Sequence, residues 1–527
     1  MRSILSALFI LVFSSICSQS VDKSSCYKLD FDHLIKFLIE THPDPYSAFG
    51  GQIDFFKSKQ EAAKSIDSIK SDEEFALFVN SFLSRLDDGH TNINLPKSSS
   101  KTQFPIRFKI AADAIFVYAT SDEYADLIGY KLVKINSKPI DYWAKKCKAF
   151  IQSENIYGEY FSLLNAISDS NISKKLFETE VLTLTLSDKQ GKESQKDISY
   201  NENTKINYSK SKIEIEADNK LLYWSMIGEA GNVAYLSWNS IMCREMLQDT
   251  YKNRPDNINI YLNWAFGYLN EKPSGNVEDD IKKVPSLYEQ IYLLFEEIAK
   301  RKAKYLIIDL RYNSGGSTPT VRPILYKIYG DKYLNYHFDT EMIKRISPLY
   351  LQKFGFNDIE EYNNSMGTAL KLGDYIFASF GNLDKTKSLE QRREAIENGV
   401  EGFGTDFIKK TKQLDDIKIY ILTSPSTFSA AYHFTYYLNE LGRSTIIGVA
   451  SRQAGNTFME TTSFSLPNTK LTGSISNSKQ VLFKNDPEKG KVLRPDIEMK
   501  WKDYFCYSFD KNSEILKILD MIDSKSE

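Results

Sequence analysis

The segment IKIYILTSPSTFSAAYHF, residues 417–434, sets a serine where two kinds of chain meet. Ile417 to Leu422 is an apolar run, Thr423 to Thr427 a small-polar cluster, and a helix-like stretch begins at Ser429. Two chemistries suit that position. A serine hydroxyl can cap the helix by accepting a bond from an orphan amide. It can also act as a nucleophile raised at the positive end of a helix, where negative charge is favoured. A second segment, KYLIIDLRYNSGGST (304–318), ends a nearly all-apolar strand in RYNSGG. Adjacent glycines let the backbone turn freely and approach a ligand closely. Free N–H groups there could hold a negative oxygen, although an ordinary Gly-rich turn reads the same way. A phosphate loop is a poorer reading, because GxxxxGK[ST] is absent. If the two strands are neighbours in a sheet, their carboxyl ends form one crevice. A serine beside backbone donors is the arrangement that acyl transfer needs.

Such a serine requires a base. The chain has five histidines: His33, His42, His90, His337 and His433. His433 lies one helical turn past Ser429 and would struggle to reach back, so it reads as a packed residue. His33 and His42 lie on or just after the first helix, and His337 in an insertion. His90, in LDDGHT, directly follows a helix and is flanked by Asp88, Gly89 and Thr91. A loop-mounted imidazole of that kind suits a base supplied by one domain to another.

The elements that must position these residues fall into blocks. SDEEFALFVNSFLSRL (71–86) opens with a capping box, Ser71 and Glu74, and repeats apolar residues on one helical face. Gly89 is expected to end it in a left-handed conformation. From about 103 to 220 short strands and turns follow, with the polar stretch 187–205 as an exposed loop or hairpin tip. From about 221 helices and strands alternate. VAYLSW (233–238), KYLIIDL (304–310), IKIYIL (417–422) and STIIGV (444–449) read as strands, and SLYEQIYLLFEEIAKR (286–301) as a helix with a second capping box. Apolar strands of this kind are buried on both faces of a sheet, in a layered α/β core. Residues 263–280 and 331–410 read as insertions.

The bulk properties exclude other classes. A chain of 527 residues suggests two or three domains, and a net charge of −2 gives no electrostatic reason for a nucleic-acid partner. Arg2, the apolar stretch Ile4 to Phe13 and SSICSQS form a secretory signal too short to span a bilayer. The remaining chain is therefore expected to be exported, periplasmic or secreted, without stable membrane insertion. Cys17 is the place where a lipid anchor would attach, but Ile16 stands where a small residue would be wanted. Cys26, Cys147, Cys243 and Cys506 show no metal spacing. Disulfides are permitted by an exported location, with no pairing readable.

LDDGHT, YLIIDLRYNSGG, LTSPSTFSAAYHF, IIGVASRQAGNT and VLRPDIEM occur in the order seen in the C-terminal-processing and tricorn-core family of serine peptidases. The resemblance implies an α/β fold: a crotonase-like (ClpP/crotonase-type) catalytic core, an N-terminal helical region and a PDZ-like domain around GYKLVKINSKPI. The expected division is a signal peptide (1–20), a helical region (21–100), a PDZ-like domain (101–220), the peptidase core (221–515) and a tail (516–527). By position Ser429 matches the nucleophile. Gly315 and Gly316 match the glycine pair of the oxyanion hole, with the Ala430 N–H as the second donor. Asp309 and Arg311 match positions that support that loop. The C-terminal-processing branch draws its base from a lysine after the serine, but here that turn reads RQAGNT, with Asn456 in the lysine's place. The tricorn-like branch uses an N-terminal histidine and a late acid. LDDGHT resembles that histidine segment, so His90 is the expected base. Glu488 is the nearest match to the acid, one residue out of step, with Asp486 competing. Tyr432 stands where many relatives carry glutamate.

The implied activity is hydrolysis of polypeptides or oligopeptides through an acyl-enzyme, with neither cofactor nor metal. The alternative is a weakly catalytic or non-catalytic relative that binds hydrophobic ligands or peptide C-termini. An esterase of the α/β-hydrolase type would need GxSxG, and TFSAA lacks both glycines. The oligomeric state is not legible.

Overall fold

A computed structural model of the chain describes residues 23–95, 102–149, 151–202, 204–217, 220–229, 231–397, 414 and 416–524. The expected signal segment, with Cys17, lies outside the described residues. No described helix is long and apolar enough to cross a membrane.

Helices α1 (Lys23–Thr41) and α2 (Asp72–Leu83) close on an aromatic core that includes Tyr27, Phe31, Phe75 and Phe82. The Ser71 hydroxyl caps α2 by accepting the Glu74 N–H at 3.1 Å. The Glu74 carboxylate reaches back to the Lys70 N–H at 2.8 Å. The other end of this region differs from expectation. Asp87, not Gly89, takes the left-handed conformation, with φ 51°. Gly89 is needed for a close approach instead, because a Cβ there would lie 2.6 Å from Glu154 Oε1. The chain then enters β1 (Asn92–Ile93).

The next block is an antiparallel sheet of β2 (Ile106–Ile110), β3 (Ile115–Thr120), β4 (Lys131–Ile135), β5 (Val181–Ser187) and β6 (Glu193–Ser199), with α3 (Ile156–Ser168) packed into its core. The polar stretch after residue 187 is the turn and outer strand of the β5–β6 hairpin, as its composition predicts.

The remainder supplies β7 (Leu222–Ile227), β8 (Val233–Trp238), α4 (Leu287–Arg301), β9 (Tyr305–Asp309), β10 (Glu341–Arg345), β11 (Tyr375–Ala378), β12 (Lys418–Thr423), α5 (Ala430–Leu441), β13 (Ser444–Gly448), β14 (Asn456–Ser465), β15 (Thr472–Val481), β16 (Ile497–Glu498) and α6 (Ser513–Asp523). The central sheet runs β7–β8–β9–β12–β13–β16. Only the β7–β8 pair in it is antiparallel. Alternate residues of β9 and β12 feed two different cores. Leu306, Ile308, Ile419 and Ile421 pack with α4 and α5, while Ile307, Tyr420 and Leu422 pack with α6. Double-sided burial is why these strands read as unbroken apolar runs. Residues Ile515, Ile518 and Ile522 of α6 are buried in that second core. The stretch expected as a tail from 516 is therefore, through Asp523, a packed helix.

A third sheet runs β1–β15–β10–β11, with β14 also paired to β15. The 331–410 insertion contributes β10 and β11 to it. The same sheet ties β1, just past His90, to β15, with Asn92 opposite Ser474.

Candidate active site

Strands β9 and β12 are parallel neighbours, with Asp309 beside Leu422, so RYNSGG and TSPSTF leave the sheet side by side. The small-polar cluster is what holds the turn. The Thr427 hydroxyl donates to Leu310 O at 2.8 Å and accepts the Ser424 N–H at 3.0 Å. The hydroxyls of Ser424 and Ser451 donate to Arg311 O and Thr427 O. Ser429 follows at φ 53° and ψ −124°. A side chain seldom adopts such a backbone, and it costs on the order of 1–3 kcal/mol. Its hydroxyl makes no capping bond to α5. The capping role therefore fails, and the strained turn presents an uncommitted hydroxyl, as a nucleophile on a strand-to-helix elbow would be presented. The Ser429 N–H donates to Oε1 of the fully buried Gln453.

The glycine loop abuts this elbow. A Cβ on Gly315 (φ 112°) would meet Ser429 Cβ at 2.6 Å and Ala430 N at 3.1 Å. A Cβ on Gly316 (φ 145°) would meet Ile241 O at 2.1 Å. Both positions exclude a side chain. The Gly315 N–H, expected to face an oxyanion, donates instead to Asn313 Oδ1 at 2.8 Å. Asn313 can take it because its own amide is anchored on Trp238 O at 2.6 Å. Among the described residues the N–H groups of Gly316 and Ala430 have no partner.

His90 is brought to the same place from 339 residues away in sequence, by numbering. Its ring stacks on Phe428, the residue before Ser429, at 4.7 Å between centroids. Its loop is held by Ser474, whose hydroxyl donates to His90 O at 2.7 Å, and by the Ser476 N–H to Thr91 Oγ1 at 2.9 Å. The Asn80 side chain pairs both ways with Ile93, at 3.0 Å each. His90 Nδ1 lies 3.5 Å from Glu154 Oε1 and 4.0 Å from Asp88 Oδ1. Among the described residues neither Nδ1 nor Nε2 has a hydrogen-bond partner although both are buried, and none joins Nε2 to Ser429. Catalytic hydrogen bonds are often long before substrate binds.

Glu154 is almost wholly buried and accepts the Gly89 N–H at 3.1 Å and the Ala454 N–H at 2.8 Å. Burial pulls the His90 pKa down, but the Glu154 carboxylate, with Asp88, more than offsets it and leaves it raised, Arg452 opposing. Burial likewise works against Asp88. The His42 partner 3.3 Å away, with His90 and Thr91, still holds its pKa down to about 2. His42 Nδ1 accepts the Asp44 N–H at 3.1 Å, which assigns the Nε2–H to the Asp88 side. Asp88, His90 and Glu154 place ligand atoms within 4.8 Å of one another, a geometry open to a cation. Glu154 and Asp88 already accept backbone amides there.

Ser429, Gly315, Gly316, Ala430 and His90 are thus gathered at one crevice. Glu488 is not. Its side chain is 89 % exposed and pairs with Lys491 at 3.8 Å. The competing Asp486 caps the short helix that carries it. The carboxylate beside the imidazole is Glu154, which the sequence reading missed. It precedes a helix cap, Asn155, and nothing local marks it as chemical. His433 is packed as expected, its ring nitrogens 2.8 Å from Thr318 Oγ1 and Gln480 Oε1, and burial drives its pKa down to about 3. Arg311 is bound by Asp309 at 2.7 Å and Glu514 at 2.6 Å, which stiffens the root of the glycine loop. Among the described residues, Cys26, Cys147, Cys243 and Cys506 are not joined to one another in a disulfide.

Residues 280–499, which hold the glycine loop, Ser429 and Gln453 but not His90 or Glu154, match Peptidase family S41. No curated protein matches the chain. Mature CPAF superposes with a TM-score of 0.53 at 13% identity, over 94% of this chain and 98% of that one. CPAF complexed with lactacystin gives 0.52 at 13% identity, over 94% and 99%. At that identity the likeness establishes a shared fold along nearly the whole chain. Residues 280–499 therefore carry the pattern of peptidase family S41, a family of serine-type peptidases and so of hydrolases.

Proposed function

We propose that the chain is an exported peptidase of the histidine-based, tricorn-like branch, cleaving peptide bonds of polypeptides or oligopeptides through a Ser429 acyl-enzyme. His90 takes the Ser429 proton as general base and returns it to the leaving amine. Glu154, rather than Glu488, orients the imidazole and stabilises the imidazolium as it forms. The N–H groups of Gly316 and Ala430 receive the oxyanion, with Gly315 shaping the loop. The parallel sheet from β8 to β16 with its helices is read as the crotonase-like core, and the antiparallel sheet with α3 as the PDZ-like domain. The reading assigns roughly 21–100, 101–220 and 221–523 to three domains behind a cleaved signal.

The observation that carries this reading is Ser429 itself: an uncapped hydroxyl on a strained turn, packed on two obligatory glycines, with a histidine stacked on the preceding residue. The test is a fluorophosphonate probe together with peptide hydrolysis. Wild-type protein is expected to label at Ser429 and to cleave, and Ser429→Ala to do neither while keeping its melting temperature. Full activity in Ser429→Ala refutes the assignment. One observation favours a second reading, a non-catalytic binder of hydrophobic ligands or peptide C-termini: no hydrogen bond joins Ser429 to His90. Absence of labelling together with ligand capture would select it.

A further inference from the structure

Arg452 has no assigned part in the chemistry above, yet it stands beside it. Its guanidinium carbon lies 4.6 Å from the ring centre of Phe428, the ring that also stacks on His90. On the α3 side it lies 4.3 Å from the Phe161 ring. Phe161 also lines a cavity of about 220 Å³ between α3 and the Thr423–Ser426 turn. Two rings therefore fix the guanidinium where the two sheets meet next to the nucleophile. Among the described residues no carboxylate lies within ion-pair distance of it, and no side-chain hydrogen bond uses its five N–H groups. The residue is only partly covered, and its nitrogens are not sealed from solvent. The nearby acid faces other groups: each Glu154 oxygen accepts a backbone amide, and Oε1 lies 3.5 Å from His90 Nδ1. Burial lowers the Arg452 pKa to about 10 against the pull of Glu154, so the group stays charged at neutral pH and is under-compensated. Arg311, by contrast, is spent on Asp309 and Glu514.

We propose that Arg452 is a specificity residue that binds a carboxylate of the peptide substrate close to the scissile bond. A planar guanidinium held between aromatic rings presents its fork for a bidentate contact, which a lysine would not reproduce. The carboxylate is either an Asp or Glu side chain or a free C-terminus. The inference rests on Ser429 being the nucleophile, and it adds the substrate class.

The experiment compares kcat/KM for matched peptide pools. One pair differs by Glu against Gln at positions flanking the cleavage site, the other by a free against an amidated C-terminus. Wild-type enzyme is expected to favour the carboxylate member of one pair by 10-fold or more, chiefly through KM, and that pair names the source. Arg452→Met collapses the ratio toward one, and Arg452→Lys keeps only part of it. Arg452→Glu inverts the preference toward Lys-containing peptides. Fluorophosphonate labelling of Ser429 runs alongside. Labelling with no carboxylate preference in wild type overturns the Arg452 assignment alone, and no variant needs to fold for that result. Equal losses on both members of a pair in Arg452→Met overturn it as well. Failure of wild type to label instead counts against the nucleophile and the inference together.

Discussion

Glu154→Gln is the sharpest test of how the base is tuned, because it removes a charge while keeping the side chain's shape. Glu154 Oε1 is 3.5 Å from His90 Nδ1 in a nearly dry setting. Two unit charges at that distance attract by roughly 5 kcal/mol at an effective dielectric of about 20. Two backbone amides and Arg452 already share the carboxylate's charge, so less than half of that should be realised when imidazolium forms. A loss of about 1.5–2.5 kcal/mol corresponds to roughly 10- to 70-fold in kcat/KM on the pH plateau. The direction of the pH dependence is independent of that size. Glu154 raises the His90 pKa, so removing the charge lets the imidazole lose its proton at lower pH. The acid limb of kcat/KM therefore moves to lower pH while the plateau falls. A merely structural role would lower activity and melting temperature without moving the limb. The reasoning fails if the plateau is unchanged, or if the limb stays fixed or shifts upward. One amide N–H would face the new NH₂ group, so thermal melting must be followed in parallel, with a stability loss of about 1–3 kcal/mol expected.

Gly316→Ala places a Cβ 2.1 Å from Ile241 O. It should displace the amide proposed to hold the oxyanion and cut kcat by roughly 100- to 1000-fold, measured by steady-state hydrolysis. Asp30 accepts four hydrogen bonds from Asn468 and Thr469 and so ties α1 to the β14–β15 turn. Asp30→Ala should cost about 2–4 kcal/mol in urea unfolding, and should lower kcat because β15 also carries the His90 loop. Asp88 has a folded pKa of about 2, below its ordinary 3.8. Its contribution is full above the unfolded value, about 2–3 kcal/mol, and is lost as pH falls through about 2. The stability gap between wild type and Asp88→Asn should therefore shrink between pH 4 and pH 2 in denaturant titrations, and a gap that widens on acidification contradicts this.

What the sequence disclosed and what it withheld divide along a physical line. β9 and β12 were legible because double-sided burial writes itself as an apolar run, and RYNSGG because only glycine tolerates φ 112° and 145° at such close quarters. Ser429 stood out as the residue where strand composition turns to helix. Glu154 did not, since its meaning lies wholly in tertiary contacts with Gly89, His90 and Ala454, which no local periodicity records. Glu488 is the nearest match to the acid by motif position, and motif spacing does not report that a side chain faces solvent. The Gly315 amide differs from expectation for a similar reason. A glycine pair announces freedom of the backbone but not which N–H points where, and Asn313 decides that through its side chain. Gly89 shows the same gap between residue type and cause: it is glycine for contact with Glu154, while Asp87 makes the turn.

The arrangement also explains how the proposed base can sit so far from the proposed nucleophile in sequence without being loosely held. Ser429 is fixed by the central sheet, through β12 and the turn hydroxyls. His90 is held by a different sheet, through β1 on β15, and a carboxylate from a third segment, just ahead of α3, lies 3.5 Å from its ring. The three supports converge at Phe428, whose ring meets His90 and Arg452, and at Gln453 and Ala454, which bond Ser429 and Glu154 from adjacent positions. A small rotation of the α3 sheet would thus move Glu154 and Phe161 together, altering the imidazole's partner and the guanidinium's stacking at once. On the proposed mechanism, the strain at Ser429 is stored locally, whereas the tuning of His90 and the proposed carboxylate capture depend on how the three parts dock. Perturbing that docking should therefore change pH dependence and substrate preference before it changes the reactivity of Ser429 itself.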